Sequence, residues 1–145
     1  MSSLIRDLTA AASAAFEAMG MEARWGQVRR SDKPELADFQ CNGAMGAAKA
    51  AGKNPREIGA AVAEMLKAYP MVLSAEAAGP GFINIRVSDA ALSARATDIL
   101  ADAKAGAEPA PDPHVTVIDF GGPNVAKPMH VGHLRSAVIG DTLQR

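Results

Sequence analysis

The C-terminal part of the chain, residues 115–145, reads VTVIDFGGPNVAKPMHVGHLRSAVIGDTLQR and decides the fold of that region. The β-branched and aromatic run from Val115 to Phe120 is typical of a buried strand, which two glycines and a proline then end. Farther along, apolar residues recur at the spacing of one helix face, at Leu134, Val138, Ile139 and Leu143. The pattern predicts a strand, a loop over Gly121 to Val131, and a helix.

Two histidines lie at the expected start of this helix, in the run His130-Val131-Gly132-His133. The first turn of a helix has unpaired backbone N–H groups and the positive end of the helix dipole, so it suits an anion. Imidazole N–H donors could stabilise the added charge of a five-coordinate phosphorus, and Gly132 would let a flat base approach the backbone. By itself H-x-G-H is short enough for chance to produce it, so its surroundings must decide.

The longer run DFGGPNVAKPMHVGHLRS, residues 119–136, resembles the nucleotide-binding signature of class I aminoacyl-tRNA synthetases. Its Pro-Asn-x-Ala-Lys-Pro segment is similar to that of arginyl-tRNA synthetases in particular. The resemblance implies that His130 and His133 bind ATP and stabilise its α-phosphate during adenylate formation. Gly132 lies within the same motif.

The same resemblance implies roles for two residues that precede the histidines. Asn124 would help to hold the amino acid arginine, and Lys127 would assist with the phosphate charge. Many family members have serine where this chain has Gly122. A hydroxyl contact to the substrate would therefore be missing at that position.

Composition limits the class of protein. The 145 residues include 48% hydrophobic ones, enough to build a core, and the net charge of −1 gives no overall basic field for nucleic acid. The single cysteine, Cys41, excludes an internal disulfide and paired-cysteine metal sites, and we expect it to be a buried thiol. No segment resembles a signal peptide or a membrane span, which predicts a cytoplasmic protein without membrane contact.

Three helices have recognisable ends in the N-terminal part. The first keeps its apolar residues on one face, with Ser3 as N-cap and Gly20 as a stop. Asn54-Pro55-Arg56-Glu57 is a capping-box variant that predicts a helix from Pro55 to about Ala68. The third is expected from Asp89, after Ser88 as its cap, to about Ala103.

The segments between these helices are less clear. Glu22 to Arg30 is a plausible strand that contains Trp25 and Val28, and Ser31 to Pro34 is a loop. Leu36 to Asn42 fits either a strand or an irregular approach to a helix over Gly43 to Ala51. Four cations gather nearby and are interpreted as a solvated edge: Arg24, Arg29, Arg30 and Lys33.

Val72 to Ala78 and Phe82 to Val87 flank Gly79-Pro80-Gly81, which predicts a hairpin. Along the second strand, alternation places Ile83, Ile85 and Val87 in the core. Phe82, Asn84 and Arg86 then share the outer face. An aromatic, an amide and a cation together could stack on and bind an unpaired RNA base, although a plain solvated face has the same composition.

The order of elements predicts an α+β fold, with a small N-terminal domain that contains an antiparallel sheet. The resemblance implies that the strand-loop-helix unit after it is the first unit of a Rossmann-type catalytic domain. The Pro- and Gly-rich run AGAEPAPDP, residues 105–113, is interpreted as a linker between residues 1–104 and 114–145.

Two further runs, DFQCNGAMGAAKAAGKNPREIG (38–59) and AGPGFINI (78–85), resemble the N-terminal extension of arginyl-tRNA synthetases, which contacts the D-loop side of the tRNA elbow. The resemblance implies that Phe82 and Asn84 face a D-loop base. Asn42 lies in a matching run without an evident physical role.

We therefore interpret the chain as the N-terminal fragment of an arginine–tRNA ligase. The full-length enzyme would use ATP and Mg²⁺ to activate arginine and would transfer it to tRNA(Arg), whereas the fragment would be inactive alone. The alternatives are a nucleotidylyltransferase, which shares the H-x-G-H loop, and a free-standing RNA-binding module.

Two further expectations concern ligands and assembly. A metal site built from His114, His130 and His133 is disfavoured, because the predicted strand separates the first of them from the other two. The apolar residues after Pro113 would leave much surface in water, so self-association through this tail is expected.

Overall fold

The computed structural model describes residues 3–107, 110, 112–122 and 125–145. The chain divides into two compact units, residues 1–108 and 109–145. Among its described residues the second unit forms one helix, α5 (Val131–Gln144). The helices and strands of the first unit, in chain order, are α1 (Leu4–Ala18), a 3₁₀ helix (Ala23–Gly26), β1 (Val28–Arg30), β2 (Phe39–Cys41), α2 (Gly43–Ala51), α3 (Pro55–Leu66), β3 (Val72–Ala78), β4 (Phe82–Val87) and α4 (Asp89–Ala101).

The four strands form one antiparallel sheet in the order β1-β2-β4-β3. Helices α1, α2 and α3 contact the strands, and α3 also contacts α1 and α2, so the three cover one face of the sheet. The largest fully buried side chains lie at this interface: Phe16, Leu8, Ile58, Leu66, Ile83, Ile85, Val62 and Cys41. The predicted α+β class with an antiparallel sheet is confirmed, and the other sheet face is left for polar side chains.

Local capping interactions place the helix starts where the sequence predicts them. Ser3 accepts a hydrogen bond from the Arg6 N–H at 3.3 Å, Asn54 from the Arg56 N–H at 3.0 Å, and Ser88 from the Ala91 N–H at 3.3 Å. Each bond satisfies one of the N–H groups that a helix start leaves unpaired. The hairpin strands have the predicted bounds. Helices α3 and α4 each end two residues earlier than predicted.

The predicted strand over Glu22 to Arg30 is wrong in its first half, where the chain forms the 3₁₀ helix. The Ser13 hydroxyl of α1 donates to the Ala23 carbonyl at 2.9 Å, and Gly26 lies so close to the Ser13 backbone that a Cβ would not fit. Tertiary contact with α1 thus overrides the strand propensity of this segment. The segment from Leu36 to Asn42, which by sequence fits either a strand or an irregular approach to a helix, contains strand β2.

Helix α2 packs closely against Trp25 through two glycines one turn apart. A Cβ at Gly43 would meet the Trp25 backbone carbonyl, and one at Gly46 would meet the indole ring. Cys41 is buried, as predicted, and its thiol lies 3.4 Å from the same carbonyl oxygen. Burial raises the pKa of the Cys41 thiol, while the hydrogen bond from the Gly43 N–H lowers it by a smaller amount.

In the second unit the predicted helix is present as α5 (Val131–Gln144), but the predicted strand is wrong. Residues 113–122 form no strand in the structure, and Val115 and Val117 are 93% and 89% exposed. A strand is stable only when neighbouring strands take up its backbone hydrogen bonds, and the described residues of this unit provide none. Phe120 instead packs on α5 at Gly140, where a Cβ would collide with its ring.

No helix among the described residues is long and apolar enough to cross a membrane.

The glycine contact with Trp25 leads to a stability prediction. Gly43→Ala places a methyl group against backbone that cannot rotate away, so it should destabilise the first unit by about 1–3 kcal/mol, as overpacked cores do. Urea unfolding followed by circular dichroism measures this change. Gly122→Ala is the control, because no described atom lies within 4 Å of that position. Equal unfolding midpoints for the two variants would show that α2 can shift away from Trp25.

Candidate functional site

His130 and His133 cap the start of α5 reciprocally. The His130 Nδ1 accepts a hydrogen bond from the Gly132 N–H at 3.1 Å, and the His133 Nδ1 accepts one from the His130 N–H at 3.3 Å. The arrangement is a capping box in which imidazoles take the places usually held by serine and glutamate. The two rings stack with their centroids 4.1 Å apart.

These hydrogen bonds determine which nitrogen of each ring can donate. A neutral imidazole has one donor and one acceptor nitrogen, and Nδ1 is the acceptor in both rings. The network therefore assigns the hydrogen to Nε2 in each ring. Two Nε2–H donors on stacked rings at a helix N-terminus form an arrangement suited to an oxyanion.

Gly132 is required by the first histidine itself. A Cβ at this position would lie 2.9 Å from the His130 Cε1 and 3.0 Å from its Nδ1, closer than van der Waals contact allows. The absence of a side chain lets the His130 ring fold back over the helix start and accept its hydrogen bond. By sequence, Gly132 is expected to let a base approach the backbone. In the structure the space beside Gly132 is occupied by the His130 ring.

A small cleft of about 70 Å³ lies beside the second histidine and is lined by Gly121, Gly122, Met129, His133, Ser136 and Ala137. His133 is half-buried there, whereas His130 and Lys127 are exposed and outside the lining. No described atom lies within 4 Å of a Cβ built at Gly122, so a serine would fit. Asn124 lies outside the described residues.

In the first unit, the outer face of β4 borders a second cleft of about 280 Å³, lined by Arg29, Ser31, Asp32, Lys33, Leu36, Gln40, Ala78, Phe82 and Asn84. We call it the phenylalanine cleft. Phe82 and Asn84 are both half-buried and lie together, as the alternation predicted. The Asn84 Oδ1 accepts a hydrogen bond from the Gln40 Nε2 at 2.9 Å. This bond leaves the Asn84 Nδ2 as a donor and the Gln40 Oε1 as an acceptor, a pair that can read the edge of a base.

Sequence reasoning missed Gln40. Gln40 lies on β2, opposite Asn84 of β4 and opposite Arg29 of β1, so the three lie in one row across adjacent strands. The alternation in Leu36 to Asn42 would have identified Gln40 as outward-facing had that segment been taken as a strand.

Arg86, the cation of this face in the sequence interpretation, is engaged in contacts within the protein and is not among the residues that line the phenylalanine cleft. Its guanidinium pairs with Asp38 at 3.2 Å and donates to the Glu35 carbonyl at 2.6 Å, while the other Asp38 oxygen accepts from the Val87 N–H at 2.9 Å. Arg86 therefore holds the loop before β2 against β4. The cations at the phenylalanine cleft are Arg29 and Lys33, from the cluster that was interpreted as a solvated edge.

No group of three or more histidine, cysteine or acidic side chains able to hold a metal ion occurs among the described residues.

Two family models match the chain side by side. Residues 2–87, more than half of the chain, match "Arginyl tRNA synthetase N terminal domain", and residues 95–145 match "tRNA synthetases class I (R), catalytic domain". The chain belongs to the arginyl-tRNA synthetase family.

Curated relatives agree with this assignment. An arginine–tRNA ligase of Hyphomonas neptunium is 77% identical over 145 residues, and one of Maricaulis maris is 51% identical over 146 residues. Each match covers the whole chain but 25% of the relative, so the chain spans about a quarter of the length of these relatives.

Solved arginyl-tRNA synthetases have a similar fold. The structure from Plasmodium falciparum matches with a TM-score of 0.64 and 20% identity over 99% of this chain and 28% of its own. The Thermus thermophilus structure matches with a TM-score of 0.53 and 25% identity over 97% of this chain and 22% of its own. The first match shows the fold alone, since its identity is low.

The reciprocal caps predict the tautomers of the two motif histidines. At a pH where the rings are neutral, both should carry hydrogen on Nε2 and none on Nδ1, as measured by long-range ¹H–¹⁵N correlation on the labelled chain. Gly132→Ala should remove this pattern from His130, because the added methyl displaces its ring. His114, exposed and outside the helices, is the internal reference. Hydrogen on Nδ1 of either motif histidine would contradict the capping geometry.

Proposed function

We propose that this chain is part of an arginine–tRNA ligase, which activates arginine with ATP as arginyl-adenylate and transfers it to tRNA(Arg). The observation that carries the proposal is the order of the two family matches in one chain, an N-terminal domain followed by the class I catalytic domain. That order supports the ligase over a nucleotidylyltransferase or a free-standing RNA-binding module, neither of which requires both regions.

In the first step an oxygen of the arginine carboxylate attacks the α-phosphorus of ATP, and the bond to the bridging oxygen breaks so that pyrophosphate leaves. Negative charge accumulates on the α-phosphate oxygens in the five-coordinate transition state. The two Nε2–H groups of His130 and His133 would donate to these oxygens, with the dipole of α5 behind them. Because both rings are already held by their Nδ1 atoms, little reorganisation is needed when the charge develops.

Three further residues and an ion complete this proposal. Lys127 is exposed beside the motif and would approach the phosphates as a flexible charge, Gly132 keeps the His130 ring in place, and Asn124 would hold the arginine substrate. Mg²⁺ would enter with ATP, held largely by phosphate oxygens, as is usual for this ion. In the second step a ribose hydroxyl of the tRNA terminus attacks the adenylate carbonyl, and AMP leaves.

The histidine pair is tested in a full-length ligase that carries this sequence. His133→Ala removes one Nε2–H donor and the acceptor that holds the His130 N–H, so it should cost roughly 2–4 kcal/mol of transition-state stabilisation. Arginine-dependent ATP–pyrophosphate exchange measures the loss. His114→Ala, which removes an exposed histidine outside the motif, is the matched control. Exchange rates that are equal for the two variants would remove His133 from the mechanism.

For the first unit we propose recognition of the D-loop side of the tRNA elbow. A base would stack on Phe82, and the amide pair of Asn84 and Gln40 would bind its edge, while Arg29 and Lys33 would contact the neighbouring phosphates. Few cations line the phenylalanine cleft, so binding by this chain alone should be weak and sensitive to salt.

Stacking on Phe82 gives a measurable prediction. Phe82→Ala should weaken tRNA(Arg) binding by about 1–3 kcal/mol, the usual value for one base stacked on an aromatic ring. Binding is measured at one fixed salt concentration with this chain. Leu73→Ala is the control, because Leu73 is an exposed apolar residue of β3 outside the phenylalanine cleft. The elbow assignment fails if both variants bind as tightly as the unchanged chain.

We also propose that residues 114–145 promote self-association of this chain. Helix α5 exposes four apolar residues by half or more: Leu134, Val138, Ile139 and Leu143. Covering such a stripe is favourable at about 25 cal/mol per Å².

Sedimentation of the chain beside a version that ends at Pro113 tests this proposal. The longer species should associate at lower concentration, since it alone carries the exposed stripe. If both versions remain monomeric over the same concentration range, α5 does not drive assembly.

The domain division into residues 1–104, a linker at 105–113 and residues 114–145 is kept as a proposal. The two compact units meet at 108/109, inside this linker, whereas the two family matches are separated at residues 88–94. A cytoplasmic location is likewise proposed, on the ground of the single buried thiol of Cys41.

A further inference from the structure

A third cleft lies on the first unit where the 3₁₀ helix meets α2. It measures about 390 Å³ and is lined by Arg24, Trp25, Gln27, Val28, Arg29, Asn42 and Gly43. We call it the tryptophan cleft. It combines an aromatic ring, two guanidinium groups and two side-chain amides in one depression. Of these groups, only the Arg29 guanidinium has a role in the proposed tRNA contact at Phe82.

The Arg24 guanidinium lies over the Trp25 ring, 4.7 Å from its centroid. Trp25 is half-buried, because its ring packs against Gly46 of α2. The ring is therefore a fixed support for the guanidinium, and a base can stack on such a plane in turn. Glu22 pairs with Arg24 at 2.7 Å, but both side chains are more than 60% exposed, so this pair offers little resistance to a ligand.

Asn42 adds a hydrogen-bonding group to the lining. Its Oδ1 is buried and finds no donor among the described residues, and its side chain does not cap α2. A buried acceptor without a donor is unfavourable, so Asn42 is receptive to a ligand N–H after a small rotation of its side chain. An exocyclic amine or ring N–H of a base has that chemistry.

Arg29 connects this cleft to the phenylalanine cleft, because its side chain lines both. Its Asp32 partner, at 3.2 Å, is 80% exposed, so a phosphate could replace it. Arg29, Gln40 and Asn84 lie in one row across β1, β2 and β4. The backbone of Asn84 is thus two strands away from that of Arg29, or about 10 Å at the usual strand spacing. This span suits adjacent nucleotides of an unpaired strand.

We propose that the tryptophan cleft binds a second unpaired nucleotide of the same RNA loop. Its base stacks on the Arg24 guanidinium, Asn42 accepts a hydrogen bond from the base, and Arg29 contacts the phosphate between the two nucleotides. The inference rests on the proposed RNA binding at Phe82 and extends it to a two-nucleotide site.

The experiment uses the only tryptophan of the chain as the reporter. A fluorescein-labelled transcript of tRNA(Arg) reports total binding by anisotropy, and an unlabelled transcript is used to follow Trp25 fluorescence. Four variants are compared over a series of potassium chloride concentrations: Arg24→Lys, Arg29→Gln, Phe82→Ala and Lys53→Gln. The first keeps charge but loses the stacking plane. The last removes an exposed charge that lines neither cleft and is the control.

We expect Trp25 fluorescence to change and saturate with the same affinity as the anisotropy. Arg24→Lys should weaken binding about fivefold or more, and Arg29→Gln should reduce the salt slope by about one. Lys53→Gln should change neither the affinity nor the salt slope.

Two results would overturn the inference, and they are distinguishable. If Phe82→Ala weakens binding while Trp25 fluorescence is unchanged and Arg24→Lys binds like Lys53→Gln, the tryptophan cleft is no subsite and the elbow proposal stands. If Phe82→Ala is without effect as well, or no RNA binds, the elbow proposal itself fails and the inference with it.

Discussion

Strand β4 is the element on which the first unit depends. It is hydrogen-bonded on both edges, to β2 and β3, and its side chains alternate between the two faces of the sheet. Ile83, Ile85 and Val87 are buried under the helices, and this burial fixes the register. A shift by one residue would place Phe82 in the core and an isoleucine on the open face. The same alternation therefore specifies both the core and the phenylalanine cleft.

The open face is shaped by hydrogen bonds that connect residues distant in sequence. Asp38 accepts from both Arg86 and the Val87 N–H, and so anchors the loop that carries Lys33 and Leu36 beside β4. Gln40 orients Asn84 across the β2–β4 pair. Asp38 thus fixes the position of Arg86, and Gln40 fixes that of Asn84. Such side-chain contacts give the sheet surface a defined geometry for recognition.

In the second unit the histidine motif has a local structural role as well as a proposed chemical one. Each imidazole satisfies an N–H group at the start of α5, and this leaves Nε2 of each ring for a ligand. The same geometry explains why the motif has a glycine at position 132, because a side chain there would collide with the His130 ring. Spacing in the motif can thus be understood from helix capping before any nucleotide is considered.

Sequence alone determined the features that depend on neighbouring residues. The caps at Ser3, Asn54 and Ser88, the hairpin around Pro80 and the faces of β4 follow from local hydrogen bonding and period-two alternation, and the run around His130 identified the family. Tertiary structure decided what depends on distant partners. The contact with Ser13 turned the segment at Trp25 into a 3₁₀ helix, and the pairing with Asp38 made Arg86 structural. The run from Val115 to Phe120 has strand propensity but no strand beside it among the described residues of its own unit, and a strand forms only where another backbone completes its hydrogen bonds.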